Sequence, residues 1–412
     1  MRSKFFCRWL RVGLYSACRS LHSYPGIALG KNLESNVMKI STVRTTPLVV
    51  PFKRPTHSSY GTRDAARVIM VEVEDEAGRI GIGESIAGPD MRAVAGVLDE
   101  TSELVIGRDP RGVDAIVQLV MTRIVSAPGG DLDRFARRVV AGLDMALWDL
   151  NGKAAGVPAC VLAGGPLHHD IGYFAFANGN TPKELADDAA QAVREGHRVI
   201  YMKLGRGDDV DITATAAVRA AIGDARLRLD PNEAWDVMQT IDMARRLAPY
   251  TPEFIEQPVT GHSLSALKAV KDAVPCAVAA DQAIHSPADV FAYVAAGAAD
   301  VIVLGIHEAG GLGQLFKAAA VADASGVRLC VHATVETQIT ACANQQASLA
   351  ILNIDDGNQD MSKLLAESLI ASPSLKLTNG RLGQWNAPGL GFTLDADAVA
   401  RAAARASREC IS

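Results

Sequence analysis

Four hydrophobic runs in the middle of the chain each end in a residue able to hold a metal or move a proton. They are Val199-Ile-Tyr-Met-Lys203, Leu227-Arg-Leu-Asp230, Phe254-Ile-Glu256 and Val278-Ala-Ala-Asp281. The successive carboxylates stand 26 and 25 residues apart. That spacing is one strand, one helix and two short loops, the repeat of a parallel βα barrel. On neighbouring strands Asp230, Glu256 and Asp281 would converge at the C-terminal mouth, where such barrels carry their sites. Three acids side by side repel one another unless a cation sits among them. Oxygen-only ligands on rigid strands suit Mg²⁺, with substrate and water completing its octahedron. Lys203, one strand over, is placed to act as a base beside the metal. The plainer reading of each carboxylate is a cap on the following helix. For Lys203 it is a surface lysine, which its apolar run makes a poor fit.

The elements that must position these residues fall into four stretches. Residues 1–37 are an extension rich in Arg and Lys, with no acid before Glu34. It reads either as a targeting segment or as an upstream start ahead of Met38, and is expected to be disordered or loosely attached. Residues 38–165 run strands first and helices after, an α+β unit. Val68–Glu74 and Ile80–Glu84 flank the hairpin turn Asp75-Glu-Ala-Gly78, and a long helix from about Leu132 to Ala155 stops at Gly156-Val-Pro158. Residues 166–365 alternate short apolar strands with Ala-rich helices, including Pro182–Glu195, Asp211–Ile222, Val237–Leu247 and Gln314–Ala324. Val301–Leu304 and Arg328–His332 are further strands, and the count fits seven or eight staves. Residues 366–412 break the alternation and are expected to return to the first unit.

With 412 residues and 49% hydrophobic content the chain can bury one large core and a smaller one. A formal net charge of −5 argues against a nucleic-acid or anionic-membrane partner. No apolar run approaches the ~20 residues that span a bilayer. The seven cysteines form no CxxC pair, which reads as reduced thiols in a cytoplasmic protein.

Several motifs together resemble one family. Ala141-Gly-Leu-Asp-Met-Ala-Leu-Trp-Asp-Leu-Asn-Gly-Lys153, Lys203-Leu-Gly205, Asp230-Pro-Asn232, Phe254-Ile-Glu-Gln-Pro258, Ala280-Asp281, Gly310-Gly311 and Pro388-Gly-Leu-Gly391 occur in this order. Over residues 38–395 the chain resembles the mandelate racemase/muconate lactonizing branch of the enolase superfamily. The resemblance implies an α/β fold, a (β/α)7β TIM-type barrel under an α+β capping domain built from the N-terminal part and the C-terminal tail. It also implies Mg²⁺, a small-molecule carboxylate substrate, loss of the proton α to that carboxylate, and a homo-oligomer. Sites of this superfamily use a Lys or His base with Mg²⁺.

The departures bear on mechanism. The second strand of this branch usually reads Lys-x-Lys; here it is Tyr201-x-Lys203, so the base is kept and its lysine neighbour is a phenol. Lys203 would then rely on the metal and on desolvation to lose its proton. Tyr201 is a substrate contact or auxiliary acid, or simple barrel packing. The sixth-strand position that carries lysine or aspartate in the family is Gly305. His332 is the candidate second acid/base group against a core histidine, and His307 is its rival. Asn232 orients Asp230 or touches substrate. Glu336 stabilises substrate, orients a histidine or caps a helix. Gly310-Gly311 binds an anion at a helix start or is a tight turn. The fifth-strand pair Asp281-Gln282 replaces a commoner Asp-Glu, neutralising an acid beside the ligand. The polar loop Arg54–Arg63, with His57, Tyr60 and Arg63, is the expected specificity segment, or a solvated loop. These features together predict an Mg²⁺-dependent hydro-lyase that dehydrates a polyhydroxy (sugar) acid to a 2-keto acid. A racemase or epimerase of a hydroxy or amino acid derivative is the alternative, and a non-catalytic relative the third reading.

Overall fold

The computed structural model describes residues 38–58, 61–87, 90–125 and 132–411. The expectation for residues 1–37 lies outside the described residues. Strands β1 (Ile40–Ser58), β2 (Gly61–Asp75) and β3 (Ile80–Ile86) form an antiparallel sheet in chain order. The β2–β3 turn closes where Asp75 Oδ1 accepts from the amides of Ala77 at 2.9 Å and Arg79 at 3.0 Å. Helices α1 (Met91–Ser102) and α3 (Asp133–Ala155) cover the sheet, and α2 (Val113–Val125) packs on α3. α3 lies almost in contact with β3: a Cβ at Gly81 would fall 2.0 Å from Ala146 O, and one at Gly83 2.2 Å from Gly142 O. Val139, Leu143, Leu147 and Leu150 of α3 share a core with Ile69, Val71 and Val73 of β2. Gly156, at φ 70°, ends the helix in the left-handed conformation that glycine adopts without strain.

After α4 (Ala159–Leu162) and β4 (Asp170–Gly172) the barrel runs β5 (Ala175–Phe176), α5 (Pro182–Arg194), β6 (Val199–Lys203), α6 (Asp208–Ile222) and β7 (Arg226–Asp230). It continues α7 (Val237–Leu247), β8 (Phe254–Glu256), α8 (Leu264–Ala273), β9 (Ala277–Ala280), α9 (Pro287–Ala295) and β10 (Val301–Leu304). Helices α10 (Ile306–Ala309) and α11 (Leu312–Ala324), β11 (Arg328–Val331) and α12 (Gln338–Leu349) complete it. β5 to β11 form one parallel sheet in chain order. The segment 353–359 bonds both of its edges: Asp355 N and Gln359 N donate to Leu329 O and Val331 O, and Phe174 N donates to Asn358 O. It is therefore the eighth stave, and the fold is a (β/α)7β barrel. Below the mouth, fully buried Arg228 ties staves together, donating to Glu253 Oε2 at 2.8 Å and Gly357 O at 2.6 Å and pairing with Asp355.

The tail returns to the first unit. β12 (Ile370–Ser372) pairs with β14 (Thr393–Leu394), and β13 (Arg381–Gly383) pairs with β4. α13 (Ala396–Ile411) packs on β1, with Arg405 bonded to Val49 O and Arg67 Nε to Glu409 at 2.9 Å. One expectation shifts: α6 begins at Asp208, not Asp211. Asp211 is buried and accepts from the amide of Gly205 at 2.8 Å, so its carboxylate serves the loop after Lys203 and leaves the helix start to its neighbours. Among the described residues no helix is long and apolar enough to cross a membrane.

Candidate active site

Parallel register brings the strand-end residues together. Lys203 is the register partner of Asp230; Glu256 ends β8 and Asp281 follows β9. The Lys203 amine is bonded to Asp230 Oδ2. Tyr201, two residues earlier and so on the same face of the strand, stacks on Phe174 with ring centroids 4.4 Å apart. Its hydroxyl lies 2.5 Å from Asp230 Oδ2 and 2.7 Å from Glu256 Oε1, so one phenolic proton is shared between two acids. Asn232 holds Asp230 from the other side, its backbone N–H donating to Oδ1 at 2.7 Å.

The electrostatics follow from crowding. Burial, then the charges of Asp230 and Asp281, push Glu256 up to about 8. Burial and its acidic neighbours push Asp281 up to about 6. Burial disfavours the Lys203 ammonium, but Asp230 and Glu256 outweigh it and hold the pKa above the ordinary value. The acids therefore hold the amine as a cation; the expectation of a free amine rested on the metal together with desolvation, and burial alone does not release it. Gln257 secures the fifth stave, its Oε1 accepting from Asp281 N at 2.9 Å. Gln282, the residue expected to matter beside Asp281, has a buried Oε1 without a partner.

The donor set fits Mg²⁺ in chemistry: three buried carboxylates on successive staves, two of them driven toward protonation by burial first and then by their acidic neighbours. Among the described residues no three His, Cys, Asp or Glu side chains stand as a ready-made cage. The Tyr201 hydroxyl and Lys203 amine stand bonded to those acids and would have to give way to the ion.

The two histidines separate clearly. His332 follows β11, its Nδ1 3.9 Å from Asp281 Oδ1 and 3.8 Å from Glu308 Oε2. Burial would lower its pKa; the Asp281 and Glu308 charges raise it to about 10. His307, on α10, is driven down to about 4 by burial and its Nε2 meets Thr340 Oγ1 at 3.0 Å. It is a neutral core histidine bonded to α12. Glu336 is also turned inward, accepting from the Thr334 amide at 2.5 Å, with burial raising its pKa well above the ordinary value. Glu84 of β3 accepts from the Thr337 amide at 2.7 Å, so the cap braces the loop after the seventh stave.

In the expected specificity segment, the backbone of His57 pairs with Thr62 and that of Thr56 with Arg63 across the β1–β2 hairpin. Arg63 is exposed, and Tyr60 lies outside the described residues. The glycine pair has a specific answer. At Gly311, φ 125°, a Cβ would fall 2.2 Å from Asp144 Cγ, and Asp144 Oδ1 accepts the Leu312 amide at 2.6 Å. The acceptor at the start of α11 is the carboxyl group of Asp144, from this chain's own cap helix. Glu308 and Gln257 are the two contributors not singled out from sequence. An acid three residues after a strand-end glycine was the available signal for Glu308.

Residues 40–164 match the family model for the mandelate racemase/muconate lactonizing enzyme N-terminal domain, and residues 184–398 the enolase C-terminal domain-like model. The chain is 29% identical to the D-galactarolactone cycloisomerase of Agrobacterium fabrum over 380 residues, 88% of this chain and 98% of that one. It is 31% identical to the hydrophobic dipeptide epimerase of Enterococcus faecalis over 323 residues, 76% of this chain and 88% of that one. Among solved structures, the muconate lactonizing enzyme from Pseudomonas fluorescens complexed with muconolactone superimposes with a TM-score of 0.81 at 26% identity, covering 89% of this chain and 100% of that one. The Enterococcus epimerase complexed with Mg and L-Leu-L-Tyr gives 0.79 at 26% identity, covering 86% and 99%.

Proposed function

Since this chain belongs to the mandelate racemase/muconate lactonizing enzyme branch of the enolase superfamily, we propose that it removes the proton α to a carboxylate and dehydrates a polyhydroxy acid to a 2-keto acid. The observation that carries this reading is the unlike pair on one acid cluster: the Lys203 amine on Asp230 and the His332 ring beside Asp281. Asp230, Glu256 and Asp281 would hold Mg²⁺, which when bound supplies a Lewis acid for charge developing on the substrate carboxylate. Lys203, once its ammonium proton has passed to solvent and Asp230 has released it, accepts the α-proton as the neutral amine, a contribution of about 10²–10⁴-fold. The Cα–H electron pair becomes the Cα=Cβ bond as the Cβ–O bond breaks. His332 gives its proton to the departing hydroxyl, which leaves as water, and the enol tautomerises to the 2-keto acid. The Asn232 backbone amide keeps Asp230 aimed throughout. A library of aldonic and aldaric acids with Mg²⁺ should yield a 2-keto product; silence across the library would count against dehydration.

The relatives support a second reading, because their names are those of cycloisomerases and an epimerase. Solvent deuterium entering the α-carbon of recovered substrate, or an isomeric product with no water lost, would select an isomerase. Full function after Lys203→Ala would select a non-catalytic relative.

A further inference from the structure

Gly305 ends the sixth stave at φ −99° and ψ 165°, extended backbone open to any residue. Its missing side chain is a matter of space. A Cβ there would fall 2.4 Å from Glu308 Oε2 and 2.9 Å from the His332 carbonyl oxygen. The Glu308 carboxylate, carried back by the single turn of α10, fills the volume that a side chain at 305 would take. Glu308 is buried, with Oε2 3.8 Å from His332 Nδ1, and Nδ1 has no hydrogen-bond partner. That separation is an ion pair, short of a direct hydrogen bond. The other carboxylate facing Nδ1, Asp281, belongs to the acid cluster. Behind the ring, the His332 amide donates to Leu304 O at 3.2 Å, so its backbone is fixed and its orientation depends on what meets Nδ1. Burial would raise the Glu308 pKa, yet His332 and Arg138 hold it down at about 2.

We propose that Glu308 is the positioning residue for His332: it sits in the slot left by Gly305, engages Nδ1 and leaves Nε2 to face the substrate. This rests on the reading of His332 as the proton donor. A carboxylate on one ring nitrogen sets which nitrogen is free for chemistry and holds the ring in place. It also assigns the sixth-stave gap a purpose, since the group that faces the histidine comes from the following helix.

The test compares wild type with Glu308→Ala, Glu308→Gln, Gly305→Ala and His332→Gln, each as the full chain with Mg²⁺. Two measurements are made: the His332 ring position by crystallography, and turnover of the aldonic acid that wild type dehydrates. Loss of Glu308 should let the ring rotate and should lower kcat by roughly 10–100-fold with KM nearly unchanged. Gly305→Ala should reproduce the Glu308→Ala behaviour, as its methyl evicts the carboxylate. Added formate should recover turnover in Glu308→Ala, with chloride at the same ionic strength as control. An unmoved ring in Glu308→Ala, turnover within about threefold of wild type, or a loss that formate leaves unchanged would overturn the proposal. Glu308→Gln, which keeps the volume, guards against simple misfolding. Full turnover by His332→Gln would instead sink the donor role of His332, while the ring position in Glu308→Ala still decides the pairing.

Discussion

Replacing Lys203 with alanine separates its electrostatic role from its chemical one. Its amine is bonded to Asp230, whose side chain is 0% exposed, and Glu256 and Asp281 both act on the same amine. Breaking a fully buried ion pair typically costs about 3–5 kcal/mol because one charge is left uncompensated. The Lys203 side chain is 36% exposed, so solvent screening reduces this to about 1–3 kcal/mol. The folded unit Met38–Ser412 has an unfolding entropy on the order of 0.8 kcal/mol per kelvin, so the expected loss is about 1–4 °C. Calorimetry in EDTA should show that loss, and saturating MgCl₂ should abolish it, because the ion takes over the balance of the three acids. Wild type should gain less from Mg²⁺, since there the amine competes for Asp230. Turnover should fall by about 10²–10⁴-fold even when Mg²⁺ restores stability. Equal melting temperatures in EDTA, or equal Mg²⁺ shifts for the two proteins, would refute the electrostatic argument. Turnover within about tenfold would remove Lys203 from the chemistry.

Three further outcomes are expected. Tyr201→Phe keeps the stack on Phe174 but loses the hydroxyl that bonds Asp230 and Glu256, so titration calorimetry should show tighter Mg²⁺ binding; unchanged affinity would mean that the phenol does not compete. Burial raises the Asp144 carboxyl from 3.8 to about 7, so the folded state prefers it protonated and wild type loses stability as pH climbs through that window. Asp144→Asn keeps an acceptor for the Leu312 amide without the charge, so its urea midpoint should gain on wild type between acid and neutral pH, by up to a few kcal/mol; a gap that narrows with pH would be the wrong sign. Gly311→Ala places a methyl 2.2 Å from Asp144 Cγ at φ 125° and should cost about 3 kcal/mol or more, seen as a lowered denaturation midpoint.

Much of the site was legible in the sequence because strand ends are local facts. An apolar run of four or five residues that stops at Asp230, Glu256 or Asp281 already marks where a stave meets the mouth, and the repeat of 25–26 residues implies that the staves are neighbours. The placement of Lys203 at the mouth was legible for the same reason, as the last residue of Val199–Lys203. The histidine pair was not. His307 and His332 both follow short apolar strands, and only the packed structure shows one bonded to Thr340 and the other between two carboxylates. Nor did any local signal show that the Gly310-Gly311 turn is filled by Asp144 from a helix more than 160 residues earlier.

The sequence by itself therefore determined the barrel, its cap and the three acids with their lysine, since periodicity and strand length act over a few residues at a time. Tertiary structure decided which charges meet: the amine clamped on Asp230, the phenol shared between two carboxylates, and Glu308 in the space of an absent side chain. Those outcomes depend on how closely distant segments approach and on how much water they exclude, and burial sets the charge state of every group concerned. A one-dimensional pattern carries neither quantity.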